Sequence, residues 1–139
     1  MFIIKIIKWL IILGIISCEA GILYYFGNKI IINFINITSA NNYLFNSSLL
    51  DCIGISLFIC LISFFIYSII IFFAKKVSLL SRIIISTISF FIVFIWLSAF
   101  SGPGGTLFLD CFVIKNILVF AITAVSTPYF DKILNFTNQ

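Results

Sequence analysis

Few side chains in this sequence are able to do chemistry, and their positions are informative. There are four acids, Glu19, Asp51, Asp110 and Asp131, against seven lysines and one arginine, and histidine is absent. Glu19, Asp51, Asp110 and Lys115 form a candidate polar cluster, because each lies inside or at the mouth of a long apolar run. An ionisable group at membrane depth costs about 3 kcal/mol on insertion scales, so it is expected to face a bundle interior and find a partner there. Lys115 follows Asp110 by about a turn and a half of helix, near the depth expected of Glu19. A Glu19–Lys115 ion pair in the core is therefore the expected contact. The competing expectation is that both side chains snorkel to the outer interface.

The thiols sit beside the acids. Cys18 adjoins Glu19, Cys52 adjoins Asp51, and Cys111 adjoins Asp110. In an oxidising compartment Cys52 and Cys111 would bridge two span entrances, or these candidate thiols would sense or reduce an oxidant. No Cys-x-x-Cys spacing occurs, so the packing role of a small, mildly apolar side chain stands beside both readings. Cys60 has no polar neighbour and reads as packing. With no histidine and methionine only at Met1, the commonest ligands for zinc, copper and haem are missing. No metal, cofactor or catalytic residue is expected.

The elements that must position these residues are apolar helices. The chain is 63% hydrophobic and 9% charged, with a mean hydropathy of +1.33, against roughly 45–50% and about 25% in soluble domains. Four runs approach the ~20 residues needed to cross hydrocarbon. The expected fold is an all-α integral membrane protein, one domain over residues 1–139, with spans at about 9–26, 49–73, 83–100 and 107–127. Residues 27–48 are read as an Asn-rich outer loop, in which Lys29 to Ile37 forms a short interfacial helix. Val77 to Arg82 is read as a turn and Asp131-Lys132 as the start of a tail. Ile15-Ile16-Ser17-Cys18 resembles a lipoprotein cleavage box, yet Gly21 to Phe26 stays apolar beyond it and favours a retained first helix.

Short connections favour an antiparallel, up-down four-helix bundle. Lys5, Lys8, Lys75, Lys76, Arg82 and Lys132 then share one side, with Lys29 and Lys115 on the other. The positive-inside rule places both termini in the cytoplasm, and the expected location is a bacterial inner membrane. Basic residues dispersed in this way form no stripe for nucleic acid. The expected partners are the lipid bilayer and another membrane protein or a toxin. Gly102 to Gly105 reads as a tight outward turn, since no Lys-Ser/Thr follows as a phosphate-binding loop requires.

Several short motifs carry a resemblance. Lys8 early in the first span, the stretch Tyr25 to Phe45 after it, the turn Ser101-Gly102-Pro103-Gly104 and the approach Val113-Ile114-Lys115-Asn116 are similar to features of the DoxX-like superfamily. Within it, the chain most resembles the inner-membrane family of reactive-chlorine resistance. Gly105 stands where that family carries a basic residue. The resemblance implies a role in oxidant or redox stress, or as membrane partner of an oxidoreductase, and transfers no catalytic residue. A second resemblance, in Ile37-Thr38-Ser39 followed by Asp51 at the start of span two, is to the immunity proteins of the colicin A type. It implies a protein that neutralises a pore-forming bacteriocin by helix-face packing in the membrane.

Overall fold

The computed structural model describes residues 1–35, 48–74, 76–101 and 110–134, with the side chains at 32, 34, 35, 98–101 and 110–114 excepted. Every regular element among the described residues is an α-helix: α1 Phe2–Ile35, α2 Leu49–Phe73, α3 Leu79–Ser101 and α4 Asp110–Leu134. All four are long and apolar enough to cross a membrane. α1 packs against α2 and α4, and α3 packs against the same two.

Local chemistry explains where two of the helices begin. Ser48 opens α2 with a capping box: its Oγ accepts from the Asp51 backbone N–H at 3.2 Å, while Asp51 Oδ2 accepts from the Ser48 N–H at 3.2 Å. Ser78 opens α3 in a similar way, its Oγ accepting from the Ser81 N–H at 3.3 Å. Leu79 to Arg82 is thus the first turn of α3, and the turn expected over Val77 to Arg82 ends at Ser78.

Two other boundaries depart from expectation. α1 continues through Gly27 and Asn28 to Ile35, so the first part of the expected outer loop is helix. At 34 residues it is about 51 Å long, well beyond the ~30 Å of hydrocarbon. Gly27 is there for close packing, because a Cβ on it would lie 2.8 Å from Lys115 Cδ. α4 continues through Pro128 to Leu134, carrying the expected tail residues Asp131 and Lys132 into the helix. Pro128 has no N–H to offer the carbonyl four residues earlier. That carbonyl belongs to Ala124, and Ser86 Oγ of α3 donates to it at 2.7 Å. A backbone group released by proline is thereby satisfied from a neighbouring helix, as a bilayer demands.

The core is built from one stripe per helix: Ile12, Leu13, Ile16 and Ala20 of α1, Ile59, Phe64 and Ile71 of α2, Phe90 and Val93 of α3, and Val119, Phe120 and Ala124 of α4. Small residues let the helices close up. At Gly21 an added Cβ would meet the Ile53 Cα at 2.7 Å, so α1 and α2 touch almost backbone to backbone. Hydroxyls within the stripes turn back on their own helices. Ser17, Ser63, Ser89, Thr123 and Thr127 each donate to the carbonyl four residues earlier, at 2.6–2.9 Å.

Candidate functional site

Polar side chains occupy the bundle interior at three heights. At one end lies Asp131, 0% exposed on α4. Its Oδ2 accepts from the Tyr67 hydroxyl of α2 at 2.9 Å and from Arg82 Nη1 of α3 at 3.2 Å. Arg82 Nε also donates to the Val77 carbonyl at 3.3 Å, which fixes the guanidinium. The Tyr67 ring stacks on Phe64, and Phe64 stacks on Trp9 of α1, with centroids 5.9 and 5.3 Å apart. Trp9 Nε1 in turn donates to Ser68 Oγ at 3.1 Å. One connected group of side chains thus touches all four helices. Burying an ion pair is costly, and the additional tyrosine hydrogen bond offsets part of that cost.

The middle layer contains Glu19. The Ser126 hydroxyl of α4 donates to Glu19 Oε1 at 2.8 Å and lies equally close to the Ile122 carbonyl. Glu19 Oε2 and Ser56 Oγ are buried without a hydrogen-bond partner among the described residues. Cys60 Sγ points at the Ile16 carbonyl, 3.9 Å away.

The third layer surrounds Lys115, which is 7% exposed. Its Nζ donates to Asn28 Oδ1 and sits 3.7 Å from the centroid of the Tyr24 ring. A cation over an aromatic face is worth about 2 kcal/mol where water is excluded. Asn28 is itself buried. Asn116, the residue after Lys115, is buried with neither amide atom hydrogen-bonded among the described residues.

The expected Glu19–Lys115 pair is not formed. Glu19 meets α4 at Ser126, and about 16 Å of helix separates Ser126 from Lys115. The expectation failed because it set the two residues at one depth while ending α1 at Phe26. The longer helix brings Tyr24, Gly27 and Asn28 to Lys115 instead. Asp51 does not join the cluster either: it is exposed, and its carboxylate belongs to the α2 cap. Asp110 is the first residue of α4, and its side chain, like that of Cys111, lies outside the described residues. So do the glycine turn at 102–105 and the contact expected between Cys52 and Cys111. Cys18 is exposed, whereas Cys52 and Cys60 are buried.

Sequence reasoning missed Asp131, Arg82, Tyr67 and Asn28 as site residues. A signal for Asp131 was present: Asn116, Phe120, Thr123, Thr127 and Asp131 follow one another at helical spacing of three or four, so Asp131 lies on the buried stripe of α4. Asn28 carried no such signal, because an asparagine after a glycine reads first as a loop. Among the described residues no three His, Cys, Asp or Glu side chains converge. Comparison with family models, with curated proteins and with solved structures finds no match for this chain.

Proposed function

We propose that this chain is a multi-pass protein of a bacterial inner membrane that acts by binding, and that its partner is the apolar hairpin of a pore-forming bacteriocin. The observation that carries this reading is the contrast between the inside and the outside of the bundle. Inside, the charged groups are engaged with one another or with neighbouring dipoles, as in Arg82–Asp131–Tyr67 and Lys115–Asn28. Outside, α2 presents Phe58, Leu61 and Phe65, and α3 presents Ile84, Ile88 and Ile95, all at helical spacing and all exposed. In lipid such ridges associate with another helix by van der Waals packing. α2 and α3 pack against each other, so a hairpin would offer one helix to each ridge.

The reading includes an antiparallel arrangement with both termini cytoplasmic. Pairs between helices support the first part. Trp9–Ser68, Ile16–Cys60 and Gly21–Ile53 run in opposite directions along α1 and α2, and Glu19–Ser126 and Asn28–Lys115 do so along α1 and α4. The second part is supported by the gathering of Lys5, Lys76 and Arg82 around one cleft. The rival role in oxidant stress draws support from one observation, the exposed thiol of Cys18 beside Glu19.

The test is expression in a sensitive strain, challenged in parallel with a panel of pore-forming bacteriocins and with hypochlorous acid. Protection against one toxin, reduced at least tenfold in killing titre by Phe58→Ala with Phe65→Ala at unchanged membrane abundance, is expected. Protection against the oxidant alone overturns the reading in favour of its rival.

A further inference from the structure

A cleft of about 770 Å³ opens at the end of the bundle where α1 begins and α2 gives way to α3. Its lining is divided in character. Trp9 of α1 and Phe65 and Phe72 of α2 supply an aromatic wall, while Lys5, Lys76 and Arg82 supply cations. The Arg82 guanidinium is bound to Asp131, which balances its charge. Lys5 and Lys76 are exposed, and neither forms an ion pair among the described residues.

This combination selects its ligand. A small inorganic anion would answer the two ammoniums and leave the aromatic wall exposed to water. A neutral apolar chain would cover the wall and leave the ammoniums unbalanced. An amphipathic anion satisfies both, and basic clefts between membrane helices near a headgroup layer attract lipids of this kind.

We propose that the cleft binds an anionic phospholipid, with its phosphate between Lys5 and Lys76 and the upper part of an acyl chain against Trp9, Phe65 and Phe72. Both ammoniums are on mobile stems at the surface, so the phosphate is held mainly by charge. Anionic character, more than headgroup shape, therefore sets the preference. The site is separate from the outward ridge of α3 and shares only Phe65 with that of α2, so it is tested at Lys5 and Lys76, which belong to neither ridge.

The experiment uses the full chain purified in a non-ionic detergent. Thermal unfolding and native mass spectrometry are followed with phosphatidylglycerol, with phosphatidylcholine of the same acyl chains, and with inorganic phosphate. The expected result is a rise of several degrees in Tm and a retained lipid adduct with phosphatidylglycerol only. The Lys5→Gln, Lys76→Gln double variant should weaken that binding at least tenfold with unchanged helicity, and the Lys5→Arg, Lys76→Arg variant should keep it. Equal stabilisation by the zwitterionic lipid overturns the proposal, as does a preference for phosphatidylglycerol that survives the Gln substitutions. An equal response to inorganic phosphate overturns it too, by showing that the acyl chain contributes nothing.

Discussion

Ser86 does for α4 what no residue of α4 is placed to do. The carbonyl of Ala124, deprived of its helical donor by Pro128, takes a hydrogen bond from another helix at 2.7 Å. Interhelical hydrogen bonds in membranes average about 0.6 kcal/mol, and an unsatisfied buried acceptor raises the loss to about 1–2 kcal/mol. Ser86→Ala should therefore lower stability in detergent unfolding by about that amount. Pro128→Ala returns an N–H to the carbonyl, so in that background Ser86→Ala should cost markedly less. A double-mutant cycle measures the difference, and additive losses would show that Ser86 acts on something other than this carbonyl. Lys115 teaches a related lesson. Its described partners include a dipole and an aromatic face, neither of which a search for opposite signs along the sequence would find.

At the scale of the helix, glycines decide how closely the elements approach, and they are not equivalent. Among the described residues, and apart from its own stretch of helix, nothing lies within 4 Å of a Cβ placed on Gly14, whereas one on Gly21 would collide with the Ile53 backbone. Gly14→Ala should be neutral or stabilising by up to about 1 kcal/mol through helix propensity. Gly21→Ala should instead force α1 and α2 apart. Disulfide trapping of a cysteine pair across that crossing would report the separation, and equal trapping in both variants would contradict it. The same residues show what was legible beforehand. Four apolar helices could be read directly, since hydrophobicity at this density leaves the chain few alternatives. The bounds of α1 and α4 could not, because Gly27 and Pro128 look like punctuation. One proves to be a packing site for Lys115 and the other a break repaired by Ser86. The candidate site depended on those bounds. Once α1 ran past Asn28 and α4 past Asp131, the interior partners changed, and the Glu19–Lys115 pairing dissolved.

For the whole molecule, the proposed topology makes a prediction that is independent of any partner. Green fluorescent protein fused to either end should fluoresce, and alkaline phosphatase at the same positions should be inactive, if both termini are cytoplasmic. Active phosphatase at either end would overturn that orientation. The group formed by Trp9, Phe64, Tyr67, Arg82 and Asp131 bears on how such a chain matures in the cell. It draws on all four described helices, and its acid is carried by the last of these four to be synthesised. Until α4 has docked, neither Arg82 nor Tyr67 has the Asp131 carboxylate beside it. The ion pair is thus a completion mark: its closure distinguishes the assembled four-helix bundle from a fragment of it, because Asp131 meets Arg82 and Tyr67 only when α2, α3 and α4 are all in place.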